Sequence, residues 1–226
     1  GDVIAQEGSP SPVAGRPWDN LDGAEVGLNA AGDWVIHGAI DGDASSDRLL
    51  VVNDAKLVQE GDVLPDTAGF GITSFGSGPA LLGDTGNVLW YGDWADPDTS
   101  ADTGLFLNDF LLVQEGVTTV GGVVVDTVRG ITDGYAMSPN GRWVLYEAVL
   151  SNGDEVAVRV HIGPWGFLGQ GLAGLGGQTP KLRGRGTVAG GSTVTLELTQ
   201  ARPLSTTNLV LGISALNAPF KGGTLV

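Results

Sequence analysis

Cysteine is absent from the 226 residues, which excludes disulfides and thiolate chemistry. Histidine occurs only at positions 37 and 161, too little for a His-based metal site or catalytic triad. No Gly-x-Ser-x-Gly stretch builds a nucleophile elbow, and no Walker-type phosphate loop occurs. No apolar run reaches the roughly 18 residues of a membrane-spanning helix. Bases are scarce: 11 Lys and Arg stand against 26 Asp and Glu, for a net charge of −15. That balance argues against nucleic acid and anionic membrane as partners, and it suits solubility and cation binding.

Glycine, by contrast, is abundant at 38 residues, and 42% of the chain is hydrophobic. The glycines are scattered among Val, Leu and Trp without a triplet period, so collagen is excluded and a packed core is expected. Many short strands with tight turns follow, hence an all-β fold. Charge is uneven along the chain. Residues 164–226 hold a single acid, Glu197, beside Lys181, Arg183, Arg185, Arg202 and Lys221. The shift marks a boundary between a domain over 1–163, a Gly-rich joint over 164–177 and a small β module over 178–226. The chain opens in mid-strand, so any signal peptide is expected upstream of it.

One phrase recurs three times. Val3-Ile4-Ala5-Gln6-Glu7-Gly8, Lys56 to Gly61 and Leu111 to Gly116 each end in Gln-Glu-Gly. The units around them also correspond: Gly32 maps to Gly86, Trp34 to Val88, Ile36 to Trp90 and His37 to Tyr91, and Gly141 follows 55 residues after Gly86. In each of the first two units a strand, a Gly turn, a strand, an acidic loop and a hairpin at Asn53-Asp54 or Asn108-Asp109 precede the phrase. Four-stranded antiparallel repeats of about 54 residues are the pattern of propeller blades. Residues 9–23 read as a connecting loop, with the first strand over 24–28.

Ser138-Pro139-Asn140-Gly141-Arg142-Trp143-Val144 resembles the Ser-Pro-Asp-Gly-Lys/Arg turn of the TolB-like propeller family. Asn29-x-x-Gly32-x-x-x-Ile36 resembles the Asn-x-x-Gly-x-x-x-Phe unit of exported bacterial tandem-repeat proteins. Leu216 to Thr224 resembles the tail module of large exported bacterial surface proteins. The resemblance implies a bacterial protein, secreted or at the cell surface, with propeller-like repeats and a sandwich-like C-terminal module. Its motifs bear on architecture and hardly at all on activity.

The third unit lacks a Gln-Glu-Gly strand, and the first copy stands ahead of its own unit. Three outcomes are open: residues 2–7 close a ring with residues 155–162 of the same chain, complete a sheet in another copy, or belong to a longer array. Val3, Ile4, Ala5, Gln6 and Glu7, and the apolar Thr224, Leu225 and Val226, are therefore candidate assembly strands. The expected function is a non-catalytic structural or adhesive surface protein, with copies of itself, other surface proteins or polysaccharide as partners. The alternative is a carbohydrate-binding or carbohydrate-cleaving propeller.

Two loops repeat an acidic pattern. Asp41, Asp43 and Asp47 recur as Asp96, Asp98 and Asp102. Carboxylates at alternate positions of a tight loop are candidate ligands for Ca²⁺, although the same residues are favoured in any solvated loop. A ring of Glu7, Glu60 and Glu115 is a weaker candidate than a strand end whose Glu faces water. Trp34, Trp90 and Trp143 lie in repeat strands and read as core. Trp18 and Trp94 read as exposed loop residues and candidate glycan contacts.

Overall fold

The computed structural model describes residues 1–163, 173, 177, 179–185, 194–201, 218–220 and 223–225. Among these there is no helix; the protein is all-β, built of several antiparallel sheets, one of them curled as a half-barrel. The chain divides into two units, Gly1–Val160 and His161–Val226.

Three sheets follow one another in the first unit. Sheet I orders β1 (Trp18–Leu28), β2 (Trp34–Ile40), β3 (Arg48–Val52) and β4 (Ala55–Gln59) side by side. In sheet II, β5 (Ile72–Ser74) and β6 (Leu81–Leu82) both pair with β7 (Val88–Trp94), followed by β8 (Thr103–Leu107) and β9 (Phe110–Gln114). Sheet III holds β10 (Thr119–Val120), β11 (Val123–Val128), β12 (Tyr135–Met137), β13 (Trp143–Leu150) and β14 (Glu155–His161). The path that β1 follows without a break, over register shifts, is divided into β5 and β6 in sheet II and into β11 and β12 in sheet III. The first strand thus begins at Trp18 rather than residue 24, taking in half of the expected loop.

Both faces of the inner strands are covered. Leu49, Leu50 and Val51 are consecutive and buried, as are Leu105 and Phe106. Val35, Leu50 and Val58 of sheet I pack against Val88, Trp90, Trp94 and Phe106 of sheet II. The other face of sheet I, with Ile36, Ile40, Leu49 and Val51, is partly covered by Ala5 and Val13. The turns also interlock from sheet to sheet. The amide of Ala30 donates to Asp84 Oδ1 at 2.9 Å, and the amide of Asp84 donates to the Pro139 carbonyl at 2.7 Å. Gly83 lies so close to Gly141 that a Cβ would sit 2.8 Å from its Cα, which explains glycine there.

The hairpin asparagines do two things at once. Asn53 and Asn108 take left-handed backbones (φ 46° and 57°), which Asn tolerates better than most residues. Their side chains also reach across to the second strand. Asn53 Oδ1 accepts from the Trp34 amide at 3.0 Å, and Asn108 Oδ1 from the Val88 amide at 2.8 Å. Their Nδ2 groups donate to Asp33 and Asn87.

The third turn differs by one residue. Asn29–Asp33 and Gly83–Asn87 each close with an amide-to-carbonyl bond over five residues, whereas Ser138–Trp143 closes over six. Alignment on glycine therefore holds to Gly141 and slips by one beyond it. A slip of one turns every side chain to the opposite face. Val144, Tyr146, Ala148 and Leu150 point into the core, and Trp143 and Leu145 are 38% and 48% exposed. Trp143, expected in the core, lies outside it under the Arg159 guanidinium, 4.7 Å from the ring centroid.

In the second unit β15 (Lys181–Arg185) pairs with β16 (Thr195–Thr199), setting Arg183 opposite Glu197. The hairpin of β17 (Ala218–Phe220) and β18 (Gly223–Leu225) sets Thr224 opposite Pro219 and Leu225 opposite Ala218. Thr224 and Leu225, expected to be unmatched, thus have a partner strand. Val226 and most of the joint over 164–177 lie outside the described residues.

Asn108→Ala is expected to cost about 2 kcal/mol, from the left-handed backbone and the lost bonds to Val88 and Asn87. Asn108→Gly keeps the backbone and should cost less; urea titration of both variants separates the two contributions.

Candidate functional site

The Gln-Glu-Gly copies hold one station in three places. Gly61 donates its amide to the Ile72 carbonyl and Gly116 to the Val125 carbonyl, each tying the end of one sheet to the first strand of the next. Gly8 does the same to the Trp18 carbonyl at 2.7 Å. Trp18, Ile72 and Val125 are equivalent, since they pair with Ile40, Trp94 and Leu150. All three glycines have positive φ (77°, 85° and 69°), a turn that a side chain would strain.

The neighbouring side chains repeat the same logic. Gln59 Nε2 donates to the Ser46 carbonyl at 2.6 Å, and Gln114 Nε2 to the Ala101 carbonyl at 2.7 Å. Glu115 accepts the Val128 amide at 2.6 Å, and Glu7 accepts that of Leu21, the same position on β1, at 3.4 Å. Glu60 instead accepts the Arg48 amide at 3.2 Å. It is buried, not facing water as expected, and burial pushes its carboxyl pKa up, partly offset by the bond from Arg48. Glu7 and Glu115 therefore brace backbone amides of the sheet that follows them, and Glu60 braces one of its own sheet.

Residues 2–6 are the exception among the copies. They form no strand and do not pair with β14 of the same chain, so the closed three-sheet ring is not what the chain adopts. Ala5 packs on the outer face of sheet I, as Val58 packs between sheets I and II. A shallow cavity beside it is lined by Ile4, Pro10, Pro12, Trp18, Trp34 and Val51, with the polar Ser11 and Asp54 also in its wall. At the other end, β14 pairs with β13, and among the described residues no strand covers its second edge. The reason is in the chain: the Leu150–Asp154 bond matches Ile40–Asp47 and Trp94–Asp102, which places Val160 and His161 where sheets I and II have Asn53-Asp54 and Asn108-Asp109. That turn is missing here, and among the described residues no fourth strand pairs with β14.

The acidic loops turn inward on themselves. Asp43 Oδ1 accepts the amide and hydroxyl of Ser45, and Asp98 Oδ1 those of Ser100. Both bonds lower the carboxyl pKa. Asp96 Oδ1 accepts the Asp98 amide. Asp102 is pushed up by burial and by neighbouring Asp93. Arg16 bonds the Asp41 and Ser46 carbonyls. Asp47 and Asp102 share a station with Asp154, where each carbonyl closes the strand pair. Among the described residues no three acidic or histidine side chains converge as a cation cage. Trp18 and Trp94, expected in exposed loops, are buried at 3% and 1% at strand ends, so neither offers a ring face to a glycan.

A polar cluster lies between the sheets. His37 packs tilted against Phe75, ring centroids 4.8 Å apart, and faces Glu25 at 3.9 Å, beyond hydrogen-bond reach. Its Nε2 is buried without a partner. Burial, then the charge of Arg48, brings the His37 pKa down to about 4. Burial raises the pKa of Glu25. Tyr135 donates its hydroxyl to the Pro79 carbonyl at 2.8 Å. A neutral, orphaned imidazole beside an apolar ring is a packing element. In comparisons with known proteins, no family model, curated protein or solved structure matches this chain.

The lowered His37 pKa has a stability consequence. Between the ordinary value of 6.5 and about 4, the unfolded chain takes up a proton that the folded chain refuses. This contribution is whole above pH 6.5 and is lost as pH falls. Over pH 7 to 5 the loss is about 2 kcal/mol. His37→Phe should remove that part of the acid limb in melting-temperature profiles; an unchanged limb would assign it to other groups.

Proposed function

We propose that the chain is a non-catalytic structural or adhesive protein of the bacterial surface, made of propeller-like repeats, which assembles by exchanging strands at this seam. One observation carries the reading. The Gly8–Trp18 bond puts the first Gln-Glu-Gly segment where the fourth strand of a preceding sheet would stand, while among the described residues no strand covers the second edge of β14 in sheet III. Exposed sheet edges are templates for pairing, and strand addition is a known mode of recognition between chains.

The surface location and bacterial origin rest on the resemblance of Ser138 to Val144, Asn29 to Ile36 and Leu216 to Thr224 to exported repeat proteins. The net charge of −15 keeps such a chain soluble before it assembles. A sugar-binding role has less support, because the tryptophans assigned to it are buried.

Light scattering coupled to size-exclusion chromatography tests the reading. A mass that rises with protein concentration is expected, and a mass of one chain throughout the millimolar range would exclude self-assembly.

A further inference from the structure

We infer that the edge of β14 that no described strand covers takes residues 2–6 of a second copy in one defined register, with sheet III of one chain docked on the outer face of sheet I of the other. This rests on the strand-exchange reading and adds its partner, register and face. The register follows from sheet I, where β3 and β4 pair Leu49 with Gln59, Leu50 with Val58, Val51 with Lys56 and Val52 with Ala55. The Asp47–Asp154 equivalence carries β3 onto β14, and the Gln-Glu-Gly phrase carries β4 onto residues 2–6. Val156 then stands opposite Gln6, Ala157 opposite Ala5, Val158 opposite Val3 and Arg159 opposite Asp2.

The chemistry of those pairs is complementary. Val3 meets Val158, two apolar β-branched residues. Asp2 meets Arg159, opposite charges on facing strands. Gln6 would find the Gly153 carbonyl, which stands where Ser46 and Ala101 accept from Gln59 and Gln114. The faces fit as well. Leu145 is the counterpart of Val35, which packs between sheets I and II, yet Leu145 is 48% exposed. Docked in the same way, it enters the cavity beside Trp34 and Trp18. Val3 and Ile4, 79% and 46% exposed, are covered by the same step.

The chain has no cysteine, so an engineered pair reads cleanly. Two single variants, Ala5→Cys and Ala157→Cys, are oxidised separately and as a mixture. Facing strands bring Cα atoms to about 4.5–5.5 Å, within disulfide reach. The expected result is a two-chain band from the mixture and not from either variant alone. Ala5→Cys mixed with Val156→Cys, one residue out of register, should not cross-link. A monomeric disulfide in the double variant Ala5→Cys/Ala157→Cys, with no band from the mixture, would overturn the second copy in favour of closure within one chain. No cross-link while light scattering still shows association would overturn this register and face and leave strand exchange standing elsewhere. Absence of both would remove the two together. As an independent check, Asp2→Arg should weaken association about five-fold, and Arg159→Asp on the partner should restore it. No change on either substitution would count against the pairing.

Discussion

A sheet that is apolar on both faces has to be covered twice, and most of this architecture follows from that constraint. Leu49-Leu50-Val51 and Leu105-Phe106 are runs without alternation. No single sheet can bury both sides of such a strand, so each sheet requires a neighbour in front and behind. Sheets I and II satisfy one another through an aromatic file. His37 leans on Phe75, Phe75 on Trp90, and Trp90 stacks on Phe106 at 4.4 Å, with Trp94 edge-on to the same ring. Sheet III departs from the pattern in β14, whose burial alternates along its length. Its outer face carries charges and half-exposed apolar residues.

The Gln-Glu-Gly phrase is the joint between such sheets. Its glycine makes a left-handed turn, its glutamate caps a backbone amide, and its glutamine, in sheets I and II, holds the loop before the third strand. Each interaction is a modest net gain of about 1 kcal/mol. Together they set where the next sheet starts. Burying Glu60 costs something in return, which explains why its carboxyl is harder to ionise than a free one.

Much of the fold could be read in the residues. The hairpins at Asn53 and Asn108, the glycine turns and the all-β class follow from local chemistry: left-handed backbones and short runs of Val and Leu. Sequence spacing misplaced Trp143, because an alignment on Gly141 cannot see that one more residue follows it before the strand. Trp18 and Trp94 sit among Pro, Asp and Gly and so looked like loop residues; only pairing with Ile40 and Ile72 shows them to be strand ends facing the core. The absence of an asparagine turn at Val160-His161 was visible in the sequence, and among the described residues no strand covers the second edge of β14. The bracing role of the three glutamates was not visible, since it depends on backbone amides far away in sequence.

The two surfaces that the proposed seam would bring together are different parts of the same chain. Such a head-to-tail contact contains no stop: every copy that docks uses one surface of each kind and presents one of each again. Whether growth ends is then a matter of geometry, set by the rotation from one chain to the next. Two chains with three sheets each would fall within the range of about four to eight in which radial sheets close on themselves. A rotation that misses closure yields a filament. The one-residue longer turn before β13 sets which side chains of that strand face the core and leaves Trp143 and Leu145 on the outer face, the face that the proposed assembly would use.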